Sequence, residues 1–285
     1  METVISCLVN GASFGALLFI FSSALTIILG LMGVVNLAHG SFYLLGAFVG
    51  LSVSKATGNF FLALLAGGIA VGFIALIIER IFIRFLYNQE NEQVLLTFAL
   101  IYIFDDVFRS VWGPDVYSIS GPEVAKGAID FIGITTPTYR LMLIGFALAM
   151  FIGLWFFQEK TRYGAIIRAG VEDKEMVGGL GINVPLVFLL VFSLGSFLAG
   201  LSGVLGGPFV AVYSGLDLEV LVYALMIIVI GGVGSLIGSL IASLLLGVTI
   251  NFSGAYFPGF GMFVMFVVMV LVLILRPTGL FGRTS

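Results

Sequence analysis

The sequence predicts an all-α protein, a polytopic transmembrane helical bundle of about eight or nine spans, and two observations carry that prediction. The first is composition: 60% of the 285 residues are hydrophobic and only 9% are charged, against about 25% charged in a soluble domain. The second is where the charges fall. No Asp, Glu, Lys or Arg lies between Glu2 and Lys55, Lys55 and Glu79, Glu175 and Asp217, or Glu219 and Arg276. A bilayer-crossing helix needs roughly 20 mostly apolar residues, so the first and last gaps each hold two passes. The runs are continuous rather than alternating, which excludes a transmembrane β-barrel.

Taken in order, the predicted helices are 7–31, 37–54, 60–82, 93–111, 140–157, 186–206, 219–236, 238–252 and 258–275. The count falls to eight if 219–252 holds one full and one re-entrant span. Residues 1–31 read as a membrane helix rather than a cleaved signal, because Glu2 is their only charge and the apolar stretch exceeds a usual signal core. Residues 84–92, 112–139 and 158–185 are polar enough to be loops. With the N-terminus outside and nine spans, eight of the twelve lysines and arginines lie on the cytoplasmic side, as the positive-inside rule requires. That orientation makes 158–185 cytosolic and leaves 1–285 as a single transmembrane domain around it.

Several function classes drop out. There is no basic tract for nucleic acid, and formal net charge is −3. Cys7 is the only cysteine and His39 the only histidine, so intrachain disulfides and the usual zinc ligand sets are unavailable, and no metal site is expected. No phosphate-binding loop of the form Gly-x-x-x-x-Gly-Lys-Ser/Thr occurs, so nucleotide chemistry must lie on another chain. No nucleophile–base pair suggests an enzyme, and no cofactor is expected on this chain.

The 158–185 loop differs from the rest. Residues 159–175 hold eight of the chain's 27 charged residues. Gly164 to Val177 reads as a short amphipathic helix, with Arg168 and Glu172 spaced to pair across one turn. Ile166, Ala169, Asp173, Val177 and Leu180 fall on another stripe, and Gly178, Gly179 and Gly181 permit a sharp exit. The segment is either a solvated connector or a docking element for a soluble partner, and the helical patterning favours docking.

Here the sequence resembles a family. The segment Thr161-Arg-Tyr-Gly-Ala-Ile-Ile-Arg-Ala169, then Glu172-Asp173, then Gly179-Leu-Gly-Ile-Asn183, looks like the coupling loop of ABC importer permeases of the branched-chain amino acid type. Gly30-Leu-Met-Gly-Val-Val-Asn-Leu-Ala-His-Gly40, Val229-Ile-Gly-Gly-Val-Gly-Ser-Leu-Ile-Gly238 and Leu275-Arg-Pro-Thr-Gly-Leu-Phe-Gly282 match the same family. The resemblance covers nearly the whole chain and is strongest to the first of the two permeases in such systems. It implies an inner-membrane subunit that translocates branched-chain amino acids or a related small polar solute, urea, amides and carboxylic acids included. It further implies a heterodimer with a second permease, two cytosolic ATPase subunits carrying ATP and Mg, and a periplasmic binding protein. The coupling residues carried over are Arg162, Gly164, Arg168, Glu172, Asp173, Gly181, Ile182 and Asn183. One departure stands out: 84–92 is short and acidic, with Glu90 and Glu92, where the resemblance implies a more basic segment.

Candidate substrate-path residues are Asn36, His39, Asp105, Asp106, Arg109, Gly231 and Gly232. Asn36 and His39 are a polar pair inside 52 uncharged residues; intramembrane polar groups mark pathways, although Asn36 also suits an N-cap of the second helix. Asp105 and Asp106 lie four and three residues before Arg109, so both carboxylates are placed to pair with it, in a structural network or an outer vestibule. Gly231, Gly232, Gly234 and Gly238 include a GxxxG spacing, which serves helix packing or lines the path. Pro114, Pro122 and Pro137 punctuate the outer loop, either a docking face for a binding protein or a plain connector. The competing mechanism is an ion-coupled secondary transporter, for which Asp105 and Asp106 are the only intramembrane carboxylates.

Overall fold

In the computed structural model, which describes residues 2–87, 89–131, 134–172 and 174–282, nine helices stand at the predicted positions. They are α1 (Glu2–Met32), α2 (His39–Thr57), α3 (Phe60–Ile81), α4 (Glu90–Trp112), α5 (Thr138–Lys160), α8 (Val184–Gly206), α9 (Leu216–Gly231), α10 (Leu236–Tyr256) and α11 (Gly261–Leu275). Two short helices, α6 (Arg162–Glu172) and α7 (Lys174–Gly179), occupy the α5–α8 connection. Five helices are long and apolar enough to cross a membrane (α1, α3, α5, α8 and α10), and α11 is a shorter apolar helix.

Local chemistry sets the helix ends. Asn59, Asn183 and Ser235 each accept a backbone N–H three residues on, capping α3, α8 and α10. Gly232 and Gly234 have positive φ, which ends α9 at Gly231, short of the expected residue 236. Glu90 and Glu92 fall in the first turn of α4, where negative charge complements the helix dipole. Their acidity therefore serves the helix start. The outer segment expected to be all loop contains a small antiparallel hairpin, β1 (Ala128–Phe131) and β2 (Ile134–Pro137).

The chain divides into two compact units. Unit 1 comprises Met1–Ser23, Gly121–Phe151 and Tyr223–Ser285; unit 2 comprises Ala24–Ser120 and Ile152–Val222. In unit 1, α1 lies against α10 at glycines: a Cβ on Gly11 would come within 2.6 Å of the Val248 Cα, and one on Gly247 within 2.6 Å of the Gly15 Cα. Arg140, at the start of α5, donates to the Asn10 side-chain oxygen. The C-terminal segment runs back along α9, with Leu280 N–H donating to Ile230 and Phe281 N–H to Gly231 at 2.8 and 3.0 Å.

Unit 2 is built on α2, α3 and α8, which meet at Gly46, Gly67 and Gly200. A Cβ on Gly67 would lie 2.8 Å from the Gly46 carbonyl oxygen, and one on Gly200 2.8 Å from that of Gly67. Lipid tails offer no hydrophobic drive for helix association, so such close backbone approach supplies the packing energy. Ser193 Oγ adds an interhelical hydrogen bond to the Gly72 carbonyl at 2.8 Å. Helix α4 seals against α2 through aromatic contacts, Phe42 with Phe104 and Phe48 with Phe108 and Trp112. The outer faces of α3 and α11 stay apolar and exposed, with Phe61, Leu65, Ile69 and Phe73 on the first and Phe263, Leu271 and Ile274 on the second. Such surfaces suit a lipid environment.

Candidate functional site

Unit 2 holds the predicted site residues other than Gly231 and Gly232, which lie in unit 1, and two of its regions carry most of them. The first is the break between α1 and α2. Gly33 takes φ +64 and ends α1, and residues 33–36 have no regular secondary structure before a turn leads into α2. Unwound backbone leaves N–H groups that must be satisfied, and α4 does it: Val35 N–H donates to Gln93 Oε1 at 3.1 Å and Leu37 N–H to Thr97 Oγ1 at 3.2 Å. Asn36 and His39 are both buried here. Asn36 does not cap the second helix; Ala38 occupies the N-cap position and no side-chain cap bond forms. The helix starts too late for the Asn36 side chain to reach its N–H groups.

Beside this break, Gly40 is pressed against the Asp217 backbone, and Ser41 Oγ donates to Asp217 Oδ2 at 2.8 Å. A larger residue at position 40 would separate the first turns of α2 and α9. Asp217, Ser41, Gln93 and Thr97 are all buried and were missed as site residues. Their signals were faint: Asp217 ends the charge-free stretch 176–216, and Gln93 and Thr97 are polar residues four apart on one helix face.

Asp105 pairs with Arg109 at 2.9 Å and accepts from Ser214 Oγ at 2.6 Å. The expectation that both carboxylates meet this guanidinium fails for Asp106, which is exposed and makes no ion pair among the described residues. Arg109 is itself 62% exposed, so the pair sits at a surface of the chain. Nearby in sequence, Tyr213 donates to Glu219 at 3.1 Å. Burial first, then the Glu219 carboxylate, pushes its phenol pKa up, so it stays a neutral donor. Gly231 and Gly232 sit at backbone crossings, Gly231 against Gly238 and Gly232 against Gly282. The expected GxxxG stripe does not form as one helix face, because Gly234 lies in the turn between α9 and α10.

The second region is the α5–α8 connection. The helix expected over 164–177 is matched by helical backbone in the described residues on either side of residue 173, α6 and α7. Gly164 sits against the carbonyls of Phe157 and Gln158 at the end of α5, too close for any Cβ. Arg168 donates to the Gln158 carbonyl and lies 3.8 Å from Glu159. Positive charge at unsatisfied carbonyls of a helix C-terminus is favourable. Ile167 and Val177 are the buried anchors, while Arg162, Tyr163, Met176 and Leu180 are exposed; of the expected stripe, Val177 is buried, Ile166 and Ala169 are half-buried and Leu180 is exposed. Gly181 ends the segment at φ +80, Ile182 follows, and Asn183 caps α8 by accepting from Leu186 N–H at 3.1 Å. Asp173 and the Glu172 side chain, and with it the expected Arg168–Glu172 pair, lie outside the described residues.

Among the described residues no cluster of three or more potential metal ligands occurs. A long, multi-helix apolar chain with buried polar groups at a helix break and a charged interhelical connection defines a multi-pass helical membrane protein.

Comparison with known proteins narrows the class. The family model described as "Branched-chain amino acid transport system / permease component" matches residues 7–273, and the chain belongs to that family. It is 30% identical to the high-affinity branched-chain amino acid transport system permease protein LivH of Salmonella typhimurium, over 96% of this chain and 94% of that one. It is 28% identical to the corresponding protein BraD of Pseudomonas aeruginosa, over 97% of this chain and 95% of the relative. A probable branched-chain amino acid transport permease LivH of Methanocaldococcus jannaschii is 25% identical over 93% and 89%. No solved structure matches the chain.

Proposed function

We propose that this chain is the membrane-spanning permease subunit of an ATP-driven importer for branched-chain amino acids or a related small polar solute, crossing the cell inner membrane about nine times. The observation that carries it is the α5–α8 connection. Gly164 and Arg168 fasten α6 to the carbonyl end of α5, and Asn183 ties the exit of α7 to α8. A displacement applied to α6 and α7 by a cytosolic ATPase therefore acts on two membrane helices at once. Helix α8 in turn meets α2 and α3 at Gly46, Gly67 and Gly200, and α2 begins at the buried polar break. ATP and Mg act on the partner subunits, and a second related permease and a periplasmic binding protein complete the assembly. Of the two carboxylates expected to serve ion coupling, Asp105 is committed to Arg109 and Ser214.

The test is uptake of leucine by cells carrying the chain with its neighbouring transport genes. Uptake stops when the ATPase subunits lose their catalytic residues and survives collapse of the proton gradient; the reverse pattern refutes ATP coupling. In a Cys7→Ser background, Ala169→Cys is labelled by impermeant reagents only from the cytosolic side. Labelling from outside inverts the orientation and removes the coupling role.

A further inference from the structure

The α1–α2 break is a built feature, since two α4 side chains are committed to holding its backbone: Gln93 takes the Val35 N–H and Thr97 takes the Leu37 N–H. Gln93 is itself fixed, donating from Nε2 to the Leu86 carbonyl at 2.8 Å. Between these two supported residues, the Asn36 side chain is 2% exposed, and neither its nitrogen nor its oxygen has a hydrogen-bond partner among the described residues. Its main-chain carbonyl, by contrast, accepts from His39 N–H. An unsatisfied buried amide is costly, and an apolar side chain of the same shape would remove that cost. A fold that commits Gln93 and Thr97 to the backbone on either side of this residue yet leaves its amide open is holding that amide for something else.

We propose that the Asn36 carboxamide is a substrate-reading group, which hydrogen-bonds the charged ends of a small zwitterion as it passes the α1–α2 break. The proposal rests on the import reading above. An amide presents both N–H donors and a carbonyl acceptor, matching a ligand with a carboxylate and an ammonium. The Asp217 carboxylate, tied to Ser41 in the adjoining turn, is 3% exposed and makes no ion pair among the described residues. It supplies a second acceptor for the ammonium end. Broken helices with unwound backbone are a means by which transporters place polar groups at a substrate site. With so little exposure Asn36 is sealed in this conformation, so substrate meets it only when α2 moves relative to its neighbours, the motion that α8 transmits.

Asn36→Leu and Asn36→Ser, each in the full chain expressed with its transport partners, separate this assignment from a structural one. Leu keeps the volume and removes the open polar atoms. The purified Asn36→Leu chain is expected to show a thermal midpoint equal to or above wild type, while leucine uptake falls at least about tenfold in both variants. A tenfold loss corresponds to about 1.4 kcal/mol. In competition against wild-type leucine uptake, 4-methylpentanoate and isoamylamine, which each lack one charged end, compete far more weakly than unlabelled leucine. Retained uptake in either variant overturns the proposal. So does a lowered midpoint or failure to accumulate in Asn36→Leu, since the amide would then serve the fold, and so does competition by either one-ended analogue equal to leucine. If wild type itself takes up no leucine, the branched-chain amino acid form of the import reading fails, and the stability of Asn36→Leu alone still decides whether the amide serves the fold.

Discussion

Glycine does opposite work in two regions of unit 2. At the α2–α3–α8 contact, Gly46, Gly67 and Gly200 stand where a Cβ would strike another helix's backbone or a packed valine. In the α7 segment, Gly178, Gly179 and Gly181 have nothing within 4 Å of a built Cβ. The first set is there because space is absent, whereas in the second only Gly181, at φ +80, has a backbone that calls for glycine. Gly46 and Gly200 are buried and Gly178 and Gly181 are exposed, so the contrast also separates what holds the helices together from what connects them. In lipid the distinction matters more than in water, because close approach is a main source of helix affinity there.

The largest expected effect comes from Gly200→Val. Its side chain would meet the Gly67 carbonyl and the Val71 side chain, each at 2.8 Å already from the Cβ. Overpacking of this kind costs about 1–3 kcal/mol and more where backbone must shift. Detergent-extracted protein should lose most of its monodisperse fraction in size-exclusion chromatography. Normal recovery would mean that the three helices are held by something other than glycine contact.

Arg168→Ala should leave membrane levels near wild type yet sharply reduce leucine uptake. It removes a charged hydrogen bond to the end of α5, an interaction worth about 1.5–3 kcal/mol, on a segment outside the helix core. Uptake at the wild-type rate would reduce the connection to a passive link.

Gly181→Ala tests conformation alone. Its φ of +80 costs a residue with a Cβ about 1–2 kcal/mol, with no clash to add, so the thermal midpoint should fall modestly. An unchanged midpoint would show that this turn melts independently of the rest.

The smallest change, and of opposite sign, is expected for Gly178→Ala. Gly178 is helical, exposed and unobstructed, and alanine is favoured over glycine in a helix by up to about 1 kcal/mol. Thermal melting of the purified chain should shift slightly upward. A downward shift would place this face of α7 against a surface the glycine accommodates.

Legibility followed the physical range of each signal. The five helices long and apolar enough to cross a membrane could be read because a nearly uncharged run of bilayer length has few other uses. Where ends shifted, local geometry intervened: the positive φ of Gly232 and Gly234 stopped α9 early, and Ser235 capped a new start for α10. The hairpin at 128–137 was missed because four-residue strands carry almost no periodicity. Gly164 and Arg168 could be singled out from the family resemblance, but their shared target, the Gln158 carbonyl, could not. Asn36 was visible as an isolated polar residue with two readings, pathway group or helix cap, and the cap does not form.

What the sequence by itself determined is the solvent this chain requires and the segments that face it. Hydropathy and charge placement are additive along the chain, and no contact is needed to evaluate them. The tertiary structure alone decided which polar residues are satisfied. Gln93 and Thr97 reach Val35 and Leu37 across about 60 residues of chain (58 and 60), and Ser41 reaches Asp217 across 176. Such bonds depend on how helices dock, so the same amide side chain ends as a backbone support at Gln93 and as an open buried group at Asn36.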